Sequence, residues 1–252
     1  AIVTAYKAAI ADGVDIVVKI DGDGQMNPAL LHHFVRPLLR GEADYTKGNR
    51  FFRPESVQGM PPVRLFGNAV LSFMTKLSCG YWNIMDPTNG YTAARTCVLA
   101  ELPLDKLEQR YFFETDMLFR LNTVRAVVKD VPMDAVYADE ESHLKVGKVL
   151  PEFLRKHASR LWRRYVYSYL VRDFNVGSVY SLVGLVLLTF GLFFGLYGWI
   201  SGVQHAAPAT SGTVMLAALP VIVGIQCWIA FLHHDVSNVP TEPLSGLLDE
   251  TD

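Results

Sequence analysis

The chain has 252 residues, 50% of them apolar, and a formal net charge of −2 at pH 7. This length holds one soluble domain and an additional segment, and the high apolar fraction predicts that the additional segment is membrane-associated. The small net charge excludes recognition of nucleic acid through the overall field of the protein, so any basic patch is local. The three cysteines match no metal-binding or redox spacing and are expected to be reduced and structural; they are Cys79, Cys97 and Cys227.

The first segment, AIVTAYKAAIADGVD, has apolar residues at helical spacing, and Gly13 supplies a stop before a strand. The sequence starts within this helical pattern and without Met, so we expect further structure upstream. The next segment, DIVVKIDGDGQMNP (15–28), carries a strand-like apolar run directly into Asp21 and Asp23. Burying unpartnered carboxylates is costly, so this pair favours a bound cation, with a solvated Asp-Gly turn as the alternative.

The spacing of Asp21 and Asp23 places both side chains on one side of a continuing strand, at the carboxyl end where α/β sheets bind ligands. Hard oxygen ligands suit Mg²⁺ or Mn²⁺, which in turn bridge phosphates. A calcium-binding EF-hand loop is excluded because its sixth and twelfth positions, which require Gly and Glu, hold Met26 and His32.

Further along, helical and strand patterns alternate up to residue 150. Helices are predicted in PALLHHFVRPLLRG, VRLFGNAVLSFMTKLSCG and YFFETDMLFRLNTV, and strands in ADYTKGNRF and AVVKDVPMDAVY. This alternation predicts an α/β domain with a mostly parallel sheet over residues 1–150.

Residues 151–175 combine Arg and Lys with aromatic residues, a mixture that binds either single-stranded nucleic acid or a membrane surface. Their position directly before an apolar segment favours an interfacial amphipathic helix, with its cations on anionic lipid.

Residues 176–234 contain no Asp, Glu, Lys or Arg and include two stretches, 179–200 and 212–232, each long enough to span a bilayer as a helix. Arg and Lys cluster before the first stretch, and the linker between the stretches has none. The positive-inside rule therefore predicts a multi-pass protein of the cytoplasmic (inner) membrane, with residues 1–175 in the cytoplasm and the linker outside. Residues 235–252 are expected to form an extended or disordered cytoplasmic tail.

Six motifs occur in a particular order along the chain: VVKIDGDGQMNP, KGNRF, VRLFGN, DPTNGYTA, RYFFETDMLFRL and VPMDAVY. This ordered set resembles the family 2 glycosyltransferases of the GT-A fold, and most closely the polyprenyl-phosphate glycosyltransferases, a group that includes dolichyl-phosphate mannose synthase. The resemblance implies a nucleotide-sugar donor (a GDP- or UDP-sugar), a polyprenyl phosphate acceptor, a divalent metal and no nucleic-acid partner. It also implies that the family's first strands, with the pocket for the nucleotide base, lie upstream, so that this fragment alone is inactive.

The resemblance assigns roles to several residues. The metal on the donor's diphosphate would be held by Asp21, Asp23 and Gln25. Arg50 and Arg64 would bind the acceptor phosphate, and Asn68 shares the helix face of Arg64. Ser142, Lys145 and Lys148 occupy the place of a basic segment that folds over the site in the family.

The resemblance also places three acidic residues in the catalytic centre: Asp86 beside the sugar, and Glu114 and Asp116 facing the acceptor. The alternatives are a capping role for Asp86 within its own turn and a helix-dipole role for the other two. A phosphate acceptor is already anionic at pH 7, so positioning is expected of the acidic pair and proton abstraction is not.

The sequence thus predicts a metal-dependent, inverting, membrane-anchored glycosyltransferase that transfers a sugar to a polyprenyl phosphate. One alternative is a polysaccharide-synthesising member of the family, although such enzymes usually carry more spans and a Gln-x-x-Arg-Trp motif, which is absent here. The other is a non-catalytic, membrane-anchored protein that binds a nucleotide or a metal. The sugar, the nucleotide base, the length of the acceptor lipid and self-association are left open.

Overall fold

The computed structural model describes residues 1–22, 24, 26–52, 62–134 and 146–249. The chain forms two compact units, one made of Ala1–Arg164 with Val239–Asp252 and the other of Tyr165–Asn238.

Among the described residues of the first unit, four strands form one sheet, in the order β1, β3, β2, β4. The strands are β1 (Ile16–Lys19), β2 (Tyr45–Asn49), β3 (Thr92–Arg95) and β4 (Val128–Pro132). The predicted α/β class is confirmed, but the sheet is mixed, because β3 runs antiparallel to both β1 and β2 and only β2 and β4 are parallel. Thr92, the first residue of β3, pairs with Lys47 in the middle of β2, and Ala94 pairs with Tyr45, the first residue of β2. The chain therefore runs back along β2 after it re-enters the sheet, which makes the two strands antiparallel.

Helices cover both faces of this sheet. The helices of the first unit are α1 (Ile2–Ala11), α2 (Leu31–Leu39), α3 (Pro62–Cys79), α4 (Thr96–Ala100), α5 (Phe113–Thr123), α6 (Val146–Tyr165) and, after the second unit, α9 (Leu244–Asp249). Adjacent strand residues point to opposite faces, so Ala94 joins the core under α1 and α5 and Ala93 joins the core under α2. On the α2 side, Phe34 stacks on Tyr91 with ring centroids 3.8 Å apart.

The segment after the second unit returns to the first unit. Val239, Leu244 and Leu248 pack against its core, and the buried carboxylate of Asp44 accepts the N–H groups of Leu244 and Ser245, each at 2.8 Å. The expectation of an extended or disordered tail is therefore wrong for residues 239–249, because a buried carboxylate and an apolar surface hold this segment.

Helix α6 differs from the predicted interfacial helix because two of its arginine side chains point into the protein. Arg160 and Arg164 are buried, and exposed apolar residues lie elsewhere on its surface: Leu154, Leu161 and Trp162. Arg160 donates to Asp116 and Glu108, and Arg164 donates to the carbonyl oxygen of Leu77. Buried acceptors thus draw two of the arginines inward, away from any lipid surface.

The second unit consists of a π-helical segment, Val166–Arg172, and two long helices, α7 (Val176–Gln204) and α8 (Ser211–Ser237). Within the described residues these two helices are long and apolar enough to cross a membrane, with a mean hydropathy of 2.2 each. Only 17% and 11% of their most apolar stretches are buried, whereas a core helix of a soluble protein is mostly buried.

The two long helices pack against each other as an antiparallel pair. Glycines permit the close approach, since a Cβ on Gly184 would lie 2.7 Å from the Trp228 ring and one on Gly191 would lie 2.7 Å from Val221. At the end of the pair where α7 begins and α8 ends, the hydroxyl of the buried Tyr169 donates to Asp235 at 2.5 Å.

Candidate functional site

The register of the sheet brings four polar residues into one row. Lys19 of β1 and Lys47 of β2 both pair with Thr92 of β3, and Lys47 also pairs with Asp130 of β4. Residues in register on neighbouring strands point to the same face of the sheet. The row lies towards the carboxyl ends of β1, β2 and β4 and at the first residue of β3. The segments that carry Asp21, Arg50 and Asp86 therefore meet at this end of the sheet.

Glu114, in the first turn of α5, is held by the two lysines of this row. Its Oε1 accepts from Lys19 Nζ at 2.8 Å and its Oε2 accepts from Lys47 Nζ at 3.1 Å. Lys19 also donates to the carbonyl oxygen of Gly90 at 3.1 Å, and Lys47 donates to that of Asn89. The two ammonium groups therefore connect Glu114 to two consecutive carbonyls of the DPTNGY turn, and we name this arrangement the lysine clamp.

Charge compensation explains why the lysine clamp is stable. The side chain of Lys47 is fully buried, and an ammonium group in that position requires a carboxylate and further acceptors. Burial by itself would lower the pKa of Lys19, but Glu114 and Asp21 outweigh it and raise that pKa above its usual value. Lys19 is therefore charged at neutral pH.

Asp21 lies against the same turn. Lys19 Nζ is 3.0 Å from its Oδ1, and a Cβ on Gly90 would lie 1.9 Å from its Oδ2. Only a residue without a side chain permits this approach, which accounts for the glycine at position 90. The Asp21 side chain is 43% exposed, so it can accept a ligand from solvent.

The metal-site prediction concerns three residues, of which Asp23 and Gln25 lie outside the described residues. Among the described residues no group of three His, Cys, Asp or Glu side chains is placed to hold a metal ion. The exposed carboxylate of Asp21 is a hard oxygen donor of the kind that Mg²⁺ and Mn²⁺ prefer. Its chemistry therefore fits a divalent metal.

Asp86 and Arg50 form the second part of the site. Asp86 is fully buried; its Oδ2 accepts from Arg50 Nε at 2.7 Å and its Oδ1 accepts from Arg50 Nη2 at 3.0 Å. The backbone N–H of Arg50 and the Thr88 hydroxyl also donate to this carboxylate, at 3.2 Å each. A two-point ion pair of this kind fixes the plane of the guanidinium. The side chain of Arg50 is 27% exposed.

Glu114 and Asp116 are not held together as a pair. Asp116 is fully buried; its Oδ2 accepts from Arg120 at 3.0 Å and its Oδ1 accepts from Arg160 of α6 at 2.5 Å. Residues two apart point to different sides of a helix, so α5 directs Glu114 to the sheet and Asp116 to α6.

The remaining residues are those predicted to bind the acceptor phosphate. Asn68 is half-buried on α3, one turn after Arg64, whose side chain lies outside the described residues. Ser142 and Lys145 lie outside the described residues, as does the side chain of Lys148.

Three polar residues of the site were not identified from the sequence: Lys19, Lys47 and Asp130. Asp130 Oδ2 accepts from the Asn49 side chain and from the Met85 N–H, each at 2.9 Å, so it contacts the residues that precede Arg50 and Asp86. Burial, and to a lesser extent the nearby charge of Asp86, raise the pKa of Asp130 to about 6. The available signal in the sequence was a charged residue within a predicted strand, at VVKI, YTKG and VKDV.

Two of the curated proteins that are similar to this chain are named as transferases acting on a polyprenyl phosphate. The chain is 29% identical over 139 residues to a UDP-N-acetylglucosamine–dolichyl-phosphate N-acetylglucosaminyltransferase of Methanococcus voltae, covering 55% of each chain. It is 27% identical over 137 residues to an undecaprenyl-phosphate mannosyltransferase of Micrococcus luteus, covering 54% of this chain and 55% of that protein. The chain thus spans about half the length of these relatives, and no family model matches it.

Among solved structures, glucosyl-3-phosphoglycerate synthase of Mycobacterium tuberculosis, crystallised with Mn²⁺, UDP and phosphoglyceric acid, matches with a TM-score of 0.43. The identity is 20%, over 62% of this chain and 52% of that one.

The sheet, the DPTNGY turn and the two relatives define the class: this is an α/β protein similar to the family 2 polyprenyl-phosphate glycosyltransferases. The resemblance drawn from the six motifs is thereby confirmed.

Proposed function

We propose that the chain is part of a membrane-anchored, inverting glycosyltransferase that moves a sugar from a nucleotide-sugar donor to a polyprenyl phosphate. The observation that supports this most is the meeting of Asp21, Arg50 and Asp86 at one edge of the sheet, connected through the lysine clamp. The two curated relatives, whose names give dolichyl phosphate and undecaprenyl phosphate, support the same acceptor class.

In the proposed reaction an oxygen of the acceptor phosphate attacks the anomeric carbon of the sugar. A new carbon–oxygen bond forms, the bond from that carbon to the diphosphate breaks, and the nucleoside diphosphate leaves with the electron pair. The attacking oxygen is already anionic at neutral pH, so no general base is required. The catalytic task is therefore to hold two anions in line and to stabilise the charge that develops on the leaving group.

Arg50 is the candidate for binding the acceptor phosphate. Its bidentate pair with the buried Asp86 fixes the guanidinium before any substrate arrives, which lowers the entropic cost of binding. Arg64, Asn68, Ser142 and Lys145 are proposed to complete the acceptor side.

The donor side is proposed to centre on Asp21, with Asp23 and Gln25 as further ligands of Mg²⁺ or Mn²⁺. Such a metal, when bound, neutralises charge on the departing diphosphate. Lys19 holds the carboxylate of Asp21 in place, and Gly90 leaves room for it.

Glu114 and Asp116 are proposed as positioning residues. Glu114 orients the DPTNGY turn through the lysine clamp, and Asp116 fixes α5 against α6. Neither role requires a proton to be moved, in agreement with an acceptor that is already ionised.

We propose that α7 and α8 anchor the enzyme in the cytoplasmic membrane, with the first unit in the cytoplasm. Both flanks of the helix pair, residues before 165 and after 238, belong to the first unit. The two spans therefore enter and leave the bilayer on one side, and the linker between them lies on the other. The basic residues before α7 and their absence from the linker favour the cytoplasm for the first unit.

The proposal is tested by supplying the complete protein, of which we propose this chain to be part, in membranes with UDP- and GDP-sugars, undecaprenyl phosphate and Mn²⁺. The radiolabel extracted into organic solvent is then measured. A labelled lipid is expected, and its formation should be abolished in Asp23→Asn. The absence of any lipid product with every donor would refute the proposed acceptor, and a labelled polymer in its place would favour a polysaccharide synthase.

A further inference from the structure

The carboxylate of Asp130, in the middle of β4, joins two segments that are distant in the sequence. Its Oδ2 accepts from the side-chain Nδ2 of Asn49 and from the backbone N–H of Met85, each at 2.9 Å. Asn49 is the last residue of β2 and directly precedes Arg50, and Met85 directly precedes Asp86. One oxygen atom is thus bonded to the neighbour of each member of the Arg50–Asp86 ion pair.

The side-chain amide of Asn49 is bonded at both of its ends. Its Nδ2 donates to Asp130, and its Oδ1 accepts from the backbone N–H of Phe51 at 2.9 Å. Asn49 is fully buried, and a buried amide keeps a single orientation when both of its polar atoms have partners. Through this side chain, Asp130 holds the backbone on both sides of Arg50.

The segment that leads to Asp86 is attached along residues 126–130 at every second position. Its three donors and their acceptors are the Tyr81 hydroxyl to the carbonyl oxygen of Ala126 at 2.5 Å, the Asn83 side chain to the carbonyl oxygen of Val128 at 3.1 Å, and the Met85 N–H to Asp130 Oδ2 at 2.9 Å. The bond to Asp130 is the last of the three before Asp86. It therefore determines where the chain leaves β4 and turns into the site.

The position of Asp130 is unfavourable for a carboxylate taken by itself. Burial, and to a lesser extent the charge of Asp86, disfavour its ionised form, which is why its pKa is raised to about 6. Within the described part of the chain, its Oδ1 is buried and has no hydrogen-bond partner. Polar groups with perturbed ionisation are typical of functional sites, and the two bonds at Oδ2 indicate what this one does.

We infer that Asp130 is a positioning residue for the acceptor phosphate, because it sets the place of the backbone before Arg50 and of the backbone before Asp86. The inference rests on the proposed function, in which Arg50 binds that phosphate. A guanidinium binds phosphate through parallel N–H groups, so its plane must be correctly placed. The pair with Asp86 fixes this plane, and Asp130 fixes the pair relative to the sheet. A small displacement of a binding group is enough to slow a reaction strongly.

The first measurement needs no substrate. The complete protein is isotopically labelled at its arginine nitrogens and studied by nuclear magnetic resonance in detergent, where the Arg50 Nε–H signal reports its hydrogen bond to Asp86. This signal is assigned as the one that is lost in Arg50→Lys. Asp130→Ala removes both bonds at Oδ2 and is expected to displace the signal. Asp130→Asn keeps one oxygen that accepts both bonds, with its amide nitrogen in place of Oδ1, and is expected to retain the parent signal.

Lys129→Met is the matched control. Lys129 is the preceding residue of β4, and it forms a half-exposed ion pair with Glu42, so its loss should leave the Arg50 signal unchanged. If Asp130→Ala does not fold, Asn49→Ala removes one of the two bonds to Asp130 and should displace the signal in its place. An unchanged signal in the variant that folds, or equal displacement in Asp130→Ala and Asp130→Asn, would overturn the inference.

The second measurement separates positioning from a general loss of stability. With undecaprenyl phosphate as the acceptor, we expect Asp130→Ala to raise the KM for the lipid by about tenfold, the equivalent of one lost hydrogen bond to a charged group. The KM for the nucleotide sugar should change little, and Asp130→Asn should restore the KM for the lipid. An equal rise in both KM values would assign Asp130 a structural role only and overturn the inference.

The resonance measurement does not depend on sugar transfer, so the two proposals fail separately. A displaced Arg50 signal in a protein that transfers sugar to no polyprenyl phosphate would keep Asp130 as the group that positions the ion pair and would remove the proposed function. Transfer to polyprenyl phosphate together with an undisturbed Arg50 signal in Asp130→Ala would do the reverse.

Discussion

Arg50 donates to Asp86 through two nitrogens of its guanidinium, at 2.7 Å from Nε to Oδ2 and 3.0 Å from Nη2 to Oδ1. The carboxylate is fully buried and the arginine is partly exposed, so the protein has placed the anion inside and the cation toward the site. A buried carboxylate that fixes an exposed guanidinium is an arrangement suited to binding an anionic substrate, here the proposed acceptor phosphate.

Asp86→Asn tests this arrangement. The amide offers the guanidinium one acceptor oxygen in place of two, so one of the two charge-assisted hydrogen bonds is lost. This loss costs about 1.5–3 kcal/mol, which corresponds to a tenfold to hundredfold change. We expect kcat/KM for the lipid acceptor to fall by this factor while the KM for the nucleotide sugar changes little. Thr88→Val, which removes a weaker donor to the same carboxylate, is the matched control. Equal losses for both substrates would contradict an acceptor-side role.

The lysine clamp is tested by a double-mutant cycle on Lys47 and Glu114. Lys47→Met leaves the carboxylate with Lys19 alone, and breaking a buried ion pair costs about 3–5 kcal/mol. We expect each single variant, Lys47→Met or Glu114→Gln, to unfold at lower denaturant concentration than the parent. The double variant should be more stable than the sum of the two losses predicts, because no unpaired charge is left. Additive losses would show that the two groups do not interact.

Gly90→Ala tests the contact between the DPTNGY turn and Asp21. A Cβ would lie 1.9 Å from Asp21 Oδ2, so the carboxylate must move. Isothermal titration with Mn²⁺ is expected to show an affinity lower by tenfold or more. Gly246→Ala is the control, since a Cβ there meets nothing within 4 Å. Unchanged Mn²⁺ affinity in Gly90→Ala would argue against Asp21 as a metal ligand.

The fourth prediction concerns pH and the attachment of α6. Burial lowers the pKa of His157 from 6.5 to about 4. Below pH 6.5 the unfolded chain binds a proton that the folded chain does not, so stability is lost as the pH falls from about 6.5 to about 4. The loss reaches ~3 kcal/mol at the lower end.

His157→Gln removes this titration and keeps an acceptor for Ser78. We expect its melting temperature to fall less than that of the parent between pH 7 and pH 4.5, as measured by circular dichroism in detergent. Because other groups titrate equally in both proteins, the difference between variant and parent isolates His157. Parallel curves would exclude it as the cause.

Local patterns in the sequence were sufficient for several conclusions. A long charge-free stretch of mostly apolar residues predicts a membrane-spanning helix, because a helix satisfies its own backbone hydrogen bonds inside a bilayer. The apolar run before Asp21 predicts a strand with polar residues at its end, since only a solvated or ligand-bound position tolerates them. The order of the six motifs indicated the relatives that the comparisons then gave.

Tertiary structure decided the features that depend on distant residues. The lysine clamp joins Lys19, Lys47 and Glu114, and nothing in their local sequences indicates that they meet. Partners far along the chain also decide three other features: the direction of β3, the burial of the Arg160 side chain against Asp116, and the packing of residues 239–249 on Asp44. Hydrophobic periodicity reports whether a side chain is buried, whereas the identity of its buried partner is settled only when the elements pack.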